Sequence, residues 1–280
     1  MIIKKYSELK KLPKIFLETE NGLIILSGKY GLSKSTVFRE NLKTKDYLYL
    51  STHLTPLQLY LTLYNYCNEH DFKNIKIVID DLSNFKSDIL ISLLKSICDT
   101  HYKHIIQYNS TDSRLKNYPL GFDVENVSTV VICNEFKKNG YNGANLESFV
   151  DRSTYFEFNP SNEETFKYMK KWKNTDKEII EFLEPYVPYS RDFSLRVYEK
   201  AKTFKKLSKK LRLNWKKLTL ELLNTDLETF KIKEVLESNI KRNLKVKKIA
   251  KIKNISERHA RRLIPKTDIR TWDIIYGAIQ

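Results

Sequence analysis

The sequence predicts an α/β domain built on a parallel sheet, followed by segments that are wholly helical. Three observations predict it: five short apolar runs, helical patterns between them, and the loss of strand-like runs beyond Pro160. The runs are Leu23 to Leu26, Tyr47 to Leu50, Ile75 to Ile79, Thr129 to Cys133 and Tyr155 to Phe158. Each is short and apolar enough for a strand covered on both faces.

The first intervening helix is expected over Thr55 to Cys67, with Pro56 at a first helical position and Leu57, Tyr60, Leu61 and Tyr64 on one stripe. The second is expected over Asp88 to Asp99, through Ile89, Leu93, Leu94 and Ile97. After Pro160, Ser161 is placed to cap a helix and Glu164 to return the bond as in a capping box. A break at Glu184-Pro185-Tyr186-Val187-Pro188 and a new helix from about Ser194 suggest a small helical domain. The expected division is therefore 1–160, 161–210 and a third, basic helical unit over 211–280. Residues 100–127, with polar clusters around Ser110 to Ser113, fit either an insertion or a plain connection.

Composition narrows the class. No stretch approaches the roughly 18 to 20 apolar residues of a membrane span, and the start MIIKKYSELKK lacks the apolar core of a signal peptide. A cytoplasmic protein without a membrane partner is expected. Cys67, Cys98 and Cys133 are widely spaced and read as small buried hydrophobes, not as a disulfide or zinc framework. His101 and His104 lack further ligands nearby and read as ordinary. The net charge is +16, and residues 201–280 hold 22 Lys and Arg against 8 Asp and Glu, so they carry +14 of it. A nearly neutral body with a basic end attracts polyanions, nucleic acid above all. A solubilising face is the plainer alternative.

Gly28-Lys29-Tyr30-Gly31-Leu32-Ser33-Lys34-Ser35-Thr36 follows the first apolar run and nearly matches the phosphate-cradling pattern G-x-x-x-x-G-K-[ST]. Backbone amides and the dipole of the following helix would face phosphate, Lys34 would neutralise its charge, and Ser35, beside Thr36, would hold Mg²⁺. Gly28 and Gly31 supply backbone freedom, and Ser33 stands where the last glycine is expected. About 45 residues on, the run Ile75 to Ile79 ends in Asp80 and Asp81. Asp80 is placed to hold the metal through water and Asp81 to orient or deprotonate an attacking water. The pair could equally cap the turn Asp81 to Asn84. A third apolar run, Thr129 to Cys133, ends in Asn134.

Together these three elements resemble the core of the AAA+ ATPases, over roughly residues 20 to 200. The resemblance implies a P-loop α/β core, a helical lid over 161–210, ATP and Mg²⁺ as cofactors, and ATPase activity. It implies that Asn134 is the polar sensor on a strand lying between the loop strand and the acidic strand. In this family the fourth loop position is commonly Gly, as Gly31 is, and some members carry Ser before the lysine. Asp81 departs from the usual Glu and is one methylene shorter, which points to slower catalysis. Phe149-Val150-Asp151-Arg152 before the last core strand resembles the segment presenting an arginine finger. Arg152 would complete a neighbouring subunit's site, or else be a surface arginine paired with Asp151 or Glu157. Ser194-Leu195-Arg196 resembles the second sensor of the lid, with Arg191 as the nearby alternative.

Residues Ile249 to Ile264 carry the spacing of a helix-turn-helix, with Ala250 at the helix contact, Asn254 in the turn and Ser256 capping the second helix. Ile255, Ala260 and Leu263 would face inward. Arg258, His259, Arg261 and Arg262 would project towards DNA bases, while Lys245, Lys247, Lys248, Lys251 and Lys253 suit phosphate contacts. An amphipathic hairpin without special purpose is the alternative. Trp215 and Trp272 are expected to anchor this unit's core. The combined reading is an ATP-hydrolysing homo-oligomer, a ring or filament on DNA, for replication initiation, helicase loading or transposition of a mobile element, with a helicase or transposase as partner. Its rivals are a nucleotide-gated DNA-binding regulator with little turnover, and a protein remodeller whose basic end meets an acidic partner.

Overall fold

A computed structural model describes residues 1–42, 47–51, 55–81, 87–99, 101–134, 143–191, 193–224 and 227–264. Its contacts divide the chain into two compact units, Met1–Met169 and Lys170–Gln280.

The first unit contains, in order, β1 (Ile2–Ile3), α1 (Tyr6–Leu9), α2 (Leu12–Glu18), β2 (Gly22–Gly28), α3 (Lys34–Asn41), β3 (Leu48–Ser51) and α4 (Pro56–Glu69). It continues with β4 (Lys73–Asp80), α5 (Asp88–Ile97), β5 (Lys103–Gln107), β6 (Gly121–Ile132), α6 (Gly143–Asp151), β7 (Ser153–Phe158) and α7 (Asn162–Lys170). Among the described residues, seven strands form one sheet in the order β1-β7-β2-β6-β4-β3, all parallel, with β5 added antiparallel to the first half of β6. This is an α/β core built on a mostly parallel sheet. The strand leading to Asn134 lies between the loop strand and the acidic strand, as the AAA+ resemblance implies.

Both sheet faces are covered, which explains the near-continuous apolar runs. Leu23, Ile25, Ile75, Ile77, Ile79 and Val131 pack with Leu57, Leu63, Leu90, Leu94 and Ile97 of α4 and α5. The alternate residues Ile24, Leu26, Val78, Val130 and Ile132 are equally buried on the other face, where the Ser128 hydroxyl meets the Phe16 carbonyl of α2. The expected helices form with their caps: Thr55 accepts from the Gln58 amide ahead of Pro56, and Ser87 accepts from the Leu90 amide. On α5 the buried stripe falls on Leu90, Ile91, Leu93, Leu94 and Ile97, so Ile89, expected inside, faces solvent. Ser161 caps α7 through the Glu164 amide. Glu164 does not complete the box, because its Oε1 accepts from the Tyr6 amide instead.

Residues 101–134 build β5, a 3-10 turn at Ser113–Leu115 and the long β6. The three cysteines are buried and free, and burial pushes each thiol up to about 12. His101 pairs with Asp99, and no metal-binding cluster occurs among the described residues. Nor, among those residues, is any helix long and apolar enough to cross a membrane.

The second unit is helical: α8 (Lys177–Leu183), α9 (Leu195–Leu211), α10 (Trp215–Leu223), α11 (Leu227–Glu237), α12 (Arg242–Lys253) and α13 (Glu257–Leu263). Trp215 is buried against Phe182, whereas Trp272 and the turn residues Leu82 to Asn84 lie outside the described residues.

Candidate nucleotide site

The parallel arrangement brings the carboxyl ends of β2, β4 and β6 to one edge, since Leu26 and Asp80 are both in register with Ile132. Ligand sites of open α/β sheets lie at this edge. The loop leaves β2 at Gly28, where an added Cβ would stand 2.4 Å from the Phe158 carbonyl oxygen of β7. Only glycine fits that approach. Gly31 has φ 73° and Ser33 φ 59°, both left-handed. Ser33 is the residue before α3, so the position at which the pattern asks for glycine needs a left-handed backbone, which costs a serine roughly 1–2 kcal/mol.

Lys34 opens α3 and is buried, its ammonium donating to the carbonyls of Gly28 at 2.7 Å and Lys29 at 2.8 Å. Ser35 donates its hydroxyl proton to Asp80 Oδ1 at 2.6 Å, joining the loop helix to the acidic strand. Asp80 is 9% exposed. Its other oxygen, Oδ2, accepts from the Tyr49 hydroxyl of β3. Burial and the neighbouring carboxylate push the Tyr49 phenol well above the usual tyrosine range. Thr36, next on α3, is half-buried.

Asp81 follows β4 with φ 56°, a conformation that Asp tolerates better than most residues. It is exposed, and its Oδ1 accepts from Asn134 Nδ2 at 3.4 Å. The structure thus brings together Lys34, Ser35, Asp80, Asp81 and Asn134 from three elements. A hydroxyl and a carboxylate are hard oxygen donors suited to Mg²⁺, and the amide end of α3 with Lys34 suits phosphate. The residues present fit both groups.

Arg152 lies elsewhere. It precedes β7, whose first residue Ser153 is in register with Leu23, whereas the loop begins opposite Phe158. Five residues of strand, about 16 Å, separate the two levels. Arg152 is exposed. Arg196 stands exposed in the first turn of α9, and Arg191 is also exposed.

In the second unit, α11, α12 and α13 share a core of Ile232, Leu236, Val246, Ile249, Ala250, Ala260 and Ile264. Asn254 closes α12 in the left-handed conformation, with φ 54°, and Ser256 caps α13 through the His259 amide at 3.4 Å. Ile255 and Leu263 pack against that core. Lys247, Lys248, Lys251, Arg258, His259, Arg261 and Arg262 are all exposed. Lys253 is paired with Glu228 at 2.9 Å, and Lys245 donates to the Leu236 carbonyl.

No family model and no curated protein sequence matches the chain. Among solved structures it is similar to the ORC2 protein of Aeropyrum pernix, described in ADPNP-ADP complexes, at 9% identity and a TM-score of 0.47, over 100% of this chain and 87% of that one. It is also similar to the RuvB Holliday junction branch migration motor of Thermotoga maritima, at 12% identity and a TM-score of 0.41, over 91% and 83% of the two chains. At these values neither likeness assigns a function.

Tyr49 was not anticipated from the sequence. Its signal was faint: Tyr47 and Tyr49 alternate with Leu48 and Leu50, which puts two hydroxyl-bearing side chains on one face of a strand.

Proposed function

We propose that the protein is an AAA+ ATPase that binds and hydrolyses ATP and assembles on DNA through its basic helical end. One observation carries the reading: the Ser35 to Asp80 bond at the foot of a lysine-headed helix, with Asn134 reaching Asp81 from the intervening strand. Gly28, Gly31 and Ser33 shape the loop, and Lys34 binds the outer phosphates. Ser35 and, through water, Asp80 would hold Mg²⁺, which with ATP supplies the charge-neutralised phosphoryl group. Asp81 orients or deprotonates the attacking water and Asn134 holds Asp81 in place. Arg152 acts on a neighbouring subunit's site, and Arg196, in the first turn of α9, takes the second-sensor role that the resemblance implies.

The α12 and α13 pair is proposed as a helix-turn-helix. Arg258, His259, Arg261 and Arg262 face the major groove, and Lys247, Lys248 and Lys251 face the phosphates. Replication initiation, helicase loading or transposition is the work that suits such a protein, with a helicase or transposase as partner and a ring or filament as the assembly. Equilibrium binding of ATP and of duplex DNA by the parent and by Lys34→Ala tests the reading. The variant is expected to lose ATP affinity and ATP-dependent assembly on DNA together. A variant that retains both overturns it. A second reading, a nucleotide-gated regulator, is favoured by the left-handed Ser33 and the short Asp81; tight ATP binding without turnover would select it.

A further inference from the structure

We propose that Tyr49 is a positioning residue for the metal end of this site, acting through Asp80. The inference rests on the nucleotide reading above. A nearly buried carboxylate must find partners for both oxygens, and here the division is explicit: Ser35 takes Oδ1 and Tyr49 takes Oδ2. The strand register explains why a tyrosine does this. Ser51 is the neighbour of Asp80, and Tyr49 is that of Val78. Tyr49 therefore points to the same face as Asp80 from two residues upstream, about 6.6 Å along the strand, a gap that a phenol side chain spans. The Tyr47 ring stands edge-on to the Tyr49 ring, with centroids 6.4 Å apart, and braces it.

The consequence is chemical. Ser35 donates its proton to Asp80, so its oxygen lone pairs stay available to a cation, provided that the carboxylate does not swing away. Tyr49 fixes that swing. Partners of this kind around a metal site typically change metal affinity about 10- to 100-fold when removed. Phenylalanine keeps the ring and its packing and deletes only the hydroxyl.

The test is binding of a fluorescent ATP analogue to the full chain and to Tyr49→Phe, first in EDTA and then across a Mg²⁺ titration, with thermal unfolding of both proteins alongside. Expected are equal affinities in EDTA, an unfolding midpoint lowered by a few degrees at most, and a Mg²⁺ half-saturation raised about tenfold or more in the variant. A variant with the parent's Mg²⁺ dependence overturns the role of Tyr49 while leaving the nucleotide reading intact. A loss of affinity already complete in EDTA, or a collapse in stability, overturns it as well, because the residue would then be merely structural. A parent that binds no nucleotide overturns the underlying reading, and this proposal with it.

Discussion

Ser33 holds a backbone conformation that serine tolerates poorly, one residue before the helix that would meet phosphate. Replacing it with glycine removes a left-handed cost of about 1–2 kcal/mol but adds about 0.4–1 kcal/mol of unfolded-chain entropy. Ser33→Gly should therefore raise stability by up to about 1.6 kcal/mol in a denaturant titration, without weakening ATP binding. Gly28 behaves oppositely. Gly28→Ala drives a methyl into the Phe158 carbonyl, and a loss of about 1–3 kcal/mol or more is expected in the same titration. The motif located the loop in the sequence, but not the separate reasons for its glycines. Gly28 answers to a neighbouring strand 130 positions later in the chain and Gly31 to a turn. Tyr49 was hidden for the same reason: its partner is fixed by strand register, and local pattern carries no register between distant strands.

At the scale of elements, the buried strands and the capped helices were legible because apolar runs and cap residues are local signals. What was missed was short or supported from afar. β1 is two residues long and is held by pairing with β7, including a bond from the Met1 amino group to the Tyr155 carbonyl. β5 alternates exposed and buried residues over only Lys103–Gln107, too brief a pattern to separate from a loop. The capping box at Ser161 was read correctly on one side, and the distant Tyr6 amide claimed the other. In the second unit, Asp176 caps α8 through the Ile179 amide and accepts an ion pair from Lys205 of α9 at 2.6 Å. That hydrogen-bonded ammonium holds its carboxyl below the usual carboxylate range. Loss of the cap alone predicts that Asp176→Ala costs about 1 kcal/mol at neutral pH. Because the folded-state pKa is depressed, this stability is present above the unfolded value near 3.9 and lost as pH falls through the folded one. The difference between parent and variant should shrink in acid denaturation as the pH falls below the unfolded value near 3.9.

At the scale of the whole molecule, the charge of residues 201–280 and the place of Arg152 make separate claims. DNA binding through the basic end should weaken steeply with salt, and Lys247→Ala should reduce the slope of log affinity against log salt by about 0.9 if that lysine meets a phosphate. An unchanged slope and affinity would remove Lys247 from the interface. Arg152 lies roughly 16 Å of strand away from the level of its own loop, and in the proposed assembly it serves a neighbour. Lys34→Ala and Arg152→Ala should each lack turnover, yet mixing them should restore part of it, because Arg152 of the first completes the ATP-bound site of the second in a head-to-tail pair. No recovery on mixing would argue against a shared site. The measurement that bears most directly on the central claim is ATP hydrolysis by the full chain with and without duplex and single-stranded DNA, beside Lys34→Ala and Asp80→Ala. The account predicts turnover that DNA stimulates and that both variants lose. Turnover that survives in both variants would contradict it.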